Sequence, residues 1–154
     1  METFDWPNDT DWIWQGPLAA PSTWGKPGLI MAFNLECPGC IGRGIPFIKR
    51  LRDQHEDQAV FALLHTAYGH KTFTRDEVEP QLTHFASDFA NVGMPVALDL
   101  SGDLARSWGA EGTPHWFAFD TSGRMVRSLY GSQENATTRL TYLMDELTEP
   151  TAQP

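Results

Sequence analysis

AFNLECPGCIGRGIP, residues 32–46, holds the only two cysteines of this 154-residue chain, Cys37 and Cys40. Two cysteines placed at random in 154 positions would lie three apart roughly once in 80 arrangements, so the pair reads as one chemical device. It is a metal clip, a structural disulfide or a reagent. A zinc site needs two further ligands, normally a second such pair or closely spaced histidines. The histidines, at 55, 65, 70, 84 and 115, supply no such set; His65 and His70 come nearest and straddle a glycine-containing loop. A domain of this length buries a core without staples, so a structural disulfide has no task.

The residues on either side place the pair at a corner. Leu29, Ile30, Met31, Ala32 and Phe33 open a nearly continuous apolar run, 29–36, of strand length, which predicts a central strand buried on both faces. After Cys37, Pro38 suits the first turn of a helix, where one N–H is spare. A helix is predicted over 41–57 with Ile45, Ile48 and Leu51 on one face, its start weakened by Gly42 and Gly44 and kinked at Pro46.

Further strands are predicted at 59–66, 94–100, 115–121 and, after a tight Ser-Gly-Arg turn, 125–131 pairing back antiparallel. Between them, 74–93 reads as a helix with a Thr cap and a core stripe of Leu82, Phe85 and Phe89, and 101–110 as a short helix capped by Ser101. A closing amphipathic helix over 132–147 carries Leu140, Leu143, Met144 and Leu147. The N-terminal part is aromatic but punctuated by Gly and Pro, giving one short strand or hairpin and a loop. This order describes an α/β domain, a central mixed sheet flanked by helices, over 1–148, with a disordered tail at 149–154.

A net charge of -9 and a pI near 4.8 argue against nucleic acid and anionic membranes as partners; a protein partner with a basic face is compatible. No apolar run approaches the ~20 residues of a membrane span, and the first residues lack a basic and then apolar leader pattern. The expectation is a cytoplasmic monomer with no membrane association.

The CxxC at a strand-to-helix corner, with GTPHWFAFD (112–120) some seventy residues later, resembles the thioredoxin-like superfamily, and more narrowly the TlpA/ResA-type thiol-disulfide oxidoreductases. The resemblance rests on Gly25-Lys26-Pro27 before the first long strand, an insert at 67–93 between the two core halves, and Thr113-Pro114 opening a strand. It covers roughly residues 12–147. It implies a thioredoxin-like fold, a cis Thr113-Pro114 peptide lying against the cysteines, and a redox-active Cys37-Cys40 disulfide in place of any cofactor or metal. Three features depart from the pattern: Leu35 and Glu36 stand where an aromatic residue is common, Pro46 lies six rather than five residues after the second cysteine, and Met31 replaces a buried carboxylate.

The chemistry follows from the thiolate being the attacking species; unpaired N–H groups at a helix N-terminus favour it. Cys37 would attack a client disulfide, and Cys40 would resolve the mixed disulfide. Pro38 contributes no N–H, so Gly39 and Cys40 supply those that face the sulfurs. Thr113 and Pro114 are expected to support an extended substrate. Glu36 either handles a proton at the motif or is a surface carboxylate at a strand end. His115 either titrates near the sulfurs or is a half-buried strand residue, and Trp24 and Trp108 either rim the site or pack. Trp116 and Phe117 read as core and surface alternates. The partners implied are protein thiols or disulfides and a recycling reductase.

Two other functions compete. A peroxiredoxin-like peroxidase places Thr or Ser three residues before its reactive cysteine, where this chain has Asn34, and a Pro where this chain has Ile30. A non-enzymatic Cu(I) carrier suits two thiolates, but copper-delivery relatives of this fold use a spacing one residue longer and an added histidine.

Overall fold

The computed structural model describes residues 5–67, 74–89 and 91–149. Near its start, two single turns of 3-10 helix, Asp9–Asp11 and Pro21–Thr23, flank a three-residue strand, β1 (Trp12–Trp14). This is the strand form of the expected N-terminal extension: β1 pairs with a distant strand and not with a hairpin neighbour. Glycine and proline at 16, 17, 21, 25 and 27 keep the segment from continuing as either helix or strand.

The apolar run then forms β2 (Gly28–Phe33), buried at every residue. A π-helical turn, Cys40–Gly44, leads into α1 (Ile45–Gln54), and β3 (Val60–Thr66) follows. The insert contributes α2 (Arg75–His84), closed at its start by a capping box between Thr74 and Glu77, and a second π-helical turn, Phe85–Phe89. Residues 68–73 and 90, and the side chain of Phe89, lie outside the described residues. The chain continues through β4 (Val96–Asp99), α3 (Asp103–Ser107), β5 (His115–Phe119), β6 (Met125–Tyr130) and α4 (Glu134–Thr148). Of the expected tail, 150–154 lie outside the described residues, while Glu149 is the extended residue that ends α4.

The six strands form one mixed sheet in the order β1-β4-β3-β2-β5-β6. β2, β3 and β4 run parallel; β1, β5 and β6 are antiparallel to their neighbours. The cysteines leave the sheet from its middle, because β2 is held between β3 and β5. On one face Leu29, Met31, Phe33 and Trp116 meet Ile48 and Leu51 of α1, Leu82 of α2, and Leu140 and Met144 of α4. Each fully buried aliphatic side chain of this kind contributes about 1.5–3 kcal/mol of apolar burial.

The other face is covered differently. Ile30, Ala32, Phe117 and Phe119 pack against α3 and an aromatic group from the N-terminal segment. There the Trp6 ring stacks on Trp108 at 5.7 Å and lies 5.8 Å from Trp12 and 6.0 Å from Trp24. The indole N–H groups of Trp6, Trp24 and Trp108 donate to the carbonyls of Leu18, Ala19 and Asp5. Trp24 and Trp108 are therefore packing residues, on the face of the sheet away from the cysteines.

Trp116 and Phe117 correct the expected core-and-surface alternation, since both are wholly buried. β5 is an interior strand with a covered surface on each side, so a one-sided pattern has no place in it. The cap of α3 also differs. Gly102 stands at the cap with a φ of 82°, the Ser101 hydroxyl accepts the Asp103 N–H, and the buried Asp99 carboxylate takes the N–H groups of Leu104 and Ala105.

Candidate functional site

The strand-to-helix corner is tied down before the first cysteine. Asn34, 1% exposed, donates its amide to the Thr66 carbonyl at 2.7 Å, while its side-chain oxygen accepts the Glu36 N–H at 2.9 Å and its backbone carbonyl accepts the Cys37 N–H at 3.0 Å. Thr66 passes the connection on, donating its hydroxyl to Asp99 at 2.9 Å. Three strands, β2, β3 and β4, thus hold one loop. Asn34→Ala would remove the donor to the buried Thr66 carbonyl and the acceptor of the Glu36 N–H, and is expected to cost about 2 kcal/mol in a urea unfolding experiment.

His65 supports the same loop from below. Its Nε2 accepts the Leu35 N–H at 3.2 Å, and its ring meets Phe33 edge-on at 5.3 Å. Burial lowers its pKa from 6.5 to about 4, against a smaller opposing effect of the Glu36 carboxylate. The native ring therefore stays neutral where the unfolded chain takes up a proton. Its contribution to stability is complete above about pH 6.5, is lost as the pH falls towards 4, and is flat below. A shift of this size corresponds to roughly 3 kcal/mol across that window. Unfolding free energies measured against pH should lose this slope in His65→Phe.

At Cys37 the chain turns into the helix. The Cys40 N–H donates to the Cys37 Sγ at 3.3 Å. Across the corner the Cys37 thiol donates to the Thr113 carbonyl at 3.6 Å. The Thr113-Pro114 peptide is cis, in line with the expectation, and both cysteines are free thiols, 4% and 0% exposed for Cys37 and Cys40. Burial, more than the adjoining Cys37 sulfur, pushes the Cys40 thiol far up from its ordinary value, with the Asn34 backbone and the Thr113 side chain working the other way. The Thr113 hydroxyl is itself buried. The Thr113 carbonyl is thus engaged by the Cys37 thiol.

Pro38 and Gly39 lie between these contacts, and Gly39 has a neighbour that fixes its type. A Cβ there would stand 2.8 Å from the Ser132 Oγ, closer than two such atoms come. Ser132 follows Gly131, whose N–H donates to the Pro114 carbonyl and whose own carbonyl accepts the Trp116 indole N–H at 2.7 Å. The loop after β6 therefore closes one side of the motif, and glycine is the residue that lets it in.

The π-turn accounts for the displaced proline. One residue more than an α-turn is wound between Cys40 and Ile45, whose N–H returns to the Cys40 carbonyl. Pro46 then falls just after the π-turn, in the first turn of α1. Gly44 lies close against Met31, the residue at the place of the carboxylate: a Cβ there would meet the Met31 sulfur at 2.7 Å.

His115 lies away from the sulfurs, and Glu36 stands at the corner itself. His115 is 1% exposed and belongs to the other side of the sheet, its ring 4.8 Å from Phe117. It accepts the Glu111 N–H at Nδ1, which leaves Nε2–H to donate to the Ser128 hydroxyl at 2.6 Å, and burial lowers its pKa. Glu36 is exposed at the corner, and its carboxylate acts on His65. Among the described residues no group of three or more His, Cys, Asp or Glu side chains is arranged to hold a metal ion.

Neither the protein-family models nor the curated proteins contain a match to this chain. Solved structures do. A thiol-disulfide isomerase from Corynebacterium glutamicum superposes with a TM-score of 0.78 at 22% identity, over 96% of each chain. The chain has the thioredoxin fold. Other structures with this fold are similar over the core alone: the DsbF protein of MTB, in mixed oxidised and reduced forms, has a TM-score of 0.63 at 18% identity over 80% of this chain and 82% of its own. The exposed lipoprotein thioredoxin Etrx1 of Streptococcus pneumoniae has a TM-score of 0.64 at 20% identity, over 80% and 86%.

Asn34, Thr66, His65 and Ser132 were not legible as site residues. The one signal was Asn34 itself, a polar side chain inside an apolar run, which marks either a break in the strand or a buried hydrogen-bonded post.

Proposed function

We propose that this thioredoxin-fold protein is a thiol-disulfide oxidoreductase of the TlpA/ResA type, cycling Cys37 and Cys40 between dithiol and disulfide. The observation that carries the reading is the Cys40 N–H on the Cys37 sulfur, at the start of a helix and across from Thr113-Pro114. Cys37, the more exposed sulfur, attacks a client disulfide; a Cys37–client S–S bond forms, the client S–S bond breaks, and one client thiolate leaves. Cys40 then loses its proton and attacks the Cys37 sulfur, forming the intramolecular disulfide and releasing the second client thiolate. Two electrons pass to the client, and a recycling reductase returns them. The reverse sequence oxidises a dithiol.

The Thr113 carbonyl has a part in this cycle. Once Cys37 has lost its proton the carbonyl has no donor there, and it becomes available to an N–H of an extended client. The buried Cys40 thiol resists ionisation, so resolution is the step that needs a proton acceptor. The clients are protein thiols and disulfides, met by a monomer in the cytoplasm. The peroxidase alternative needs a hydroxyl where Asn34 is already committed to the corner, and the copper alternative needs a third soft ligand; neither has an observation in its favour. Insulin reduction with dithiothreitol as the electron source tests the reading. Turnover above the reagent alone supports it, and none, from folded protein, overturns it.

A further inference from the structure

Behind the reactive sulfurs runs an open apolar groove in two lobes of about 460 and 370 Å³, which share Ile41 and Phe85. Ile41 directly follows Cys40, and Leu35, in the second lobe, precedes Cys37 by two residues. The groove is thus lined by residues within two positions of each cysteine in the chain. Its far rim carries Lys49 and Arg50. Residues 37–53 include Arg43, Lys49, Arg50 and Arg52, four of the chain's 11 cationic side chains, and one of its 20 carboxylates, Asp53, which lines the larger lobe beside Lys49 and Arg50 and pairs with Arg52 at 3.0 Å. The helix dipole favours a cation in the last turn, where Arg52 sits, and disfavours one at the start, where Arg43 sits. In a protein of net charge -9 this is a local basic surface attached to the active corner.

Resting on the proposed thiol-disulfide exchange, we propose that the groove selects clients in which the reacting cysteine is followed by an apolar side chain and then by carboxylates. The apolar side chain fills the lobe between Ile41 and Phe85, and the carboxylates meet Lys49 and Arg50. The chain's overall negative charge does not oppose this: it is screened over about 8–10 Å at cellular salt, while the rim acts at contact distance. The recognised feature is therefore a short segment and not an acidic protein as a whole.

The test is single-turnover oxidation of the reduced protein by three disulfides: a peptide Cys-Leu-Asp-Glu and a peptide Cys-Leu-Lys-Lys, each as a mixed disulfide with a neutral thiol, and hydroxyethyl disulfide. The expected result is a preference of about fivefold for the acidic peptide, from two partly exposed ion pairs. In Lys49→Glu with Arg50→Glu that preference should invert, and in Lys49→Gln with Arg50→Gln it should vanish. The rate with hydroxyethyl disulfide should stay the same in all three proteins. Equal rates with both peptides, or a preference that survives both variants, would overturn the groove assignment. Failure to react with hydroxyethyl disulfide would instead strike at the exchange reaction itself.

Discussion

Cys37→Ser is expected to lower disulfide exchange roughly a thousandfold or more, while Cys40→Ser leaves the first attack intact and accumulates mixed disulfides with clients. The asymmetry follows from the corner. Cys37 is the sulfur that receives a backbone N–H and has some exposure; Cys40 is wholly buried and its thiol is held protonated by that burial. A serine at 37 keeps the volume but not the nucleophile. Non-reducing mass spectrometry of each variant after incubation with a disulfide peptide separates the two: a stable adduct on Cys40→Ser, none on Cys37→Ser. Adducts on Cys40 in the Cys37→Ser protein would reverse the assignment of attacking and resolving sulfur.

The largest expected loss of stability is at Trp116. Its ring is wholly buried beneath the motif helix, edge-on to Phe47 at 5.6 Å, and its indole N–H holds the Gly131 carbonyl. Trp116→Ala is expected to cost about 3–5 kcal/mol, through lost contacts and the cavity they leave. Trp116→Phe keeps most of the ring and loses the hydrogen bond, for about 1–2 kcal/mol. Because Gly131 precedes the Ser132 that lies against Gly39, the Phe variant should also loosen one side of the motif. Urea midpoints measure the first effect, and the rate of Cys37 alkylation in folded protein measures the second. An Ala variant within 1 kcal/mol of the parent protein would contradict this packing.

What could be read from residues alone divides along a physical line. The motif and the order of elements follow from local signals: an apolar run, a proline at a helix start, and a spacing; the Thr113-Pro114 partner is what the resemblance to the thioredoxin-like superfamily implies. The position of a strand within the sheet does not. Trp116 and Phe117 looked like alternates because a lone strand does not say whether one or both of its faces are covered; β5 has neighbours on both edges and cover on both sides. Of the two readings of His115, a group near the sulfurs or a strand residue, the second holds: side chains alternate along a strand, and position 115 packs on Phe117 on the face away from the cysteines.

Long-range ties were hidden for a different reason. Asn34 with Thr66, Leu35 with His65, and Gly39 with Ser132 each join residues about thirty to ninety positions apart, and spacing within a segment carries no trace of them. The displaced Pro46 was the opposite case, a departure visible in the sequence whose meaning needed the backbone. A π-turn absorbs the extra residue and returns the proline to the first turn of α1.

The central claim, that Cys37 and Cys40 form one reversible two-electron couple, is tested most directly by a redox titration. The protein is equilibrated in dithiothreitol or glutathione buffers of stepped potential, quenched with an alkylating reagent, and its modified cysteines counted by mass. The account predicts a single transition in which both cysteines lose reactivity together, at a potential within roughly -270 to -120 mV. Two independently modified cysteines, or a pair that stays reduced throughout that range, would contradict it.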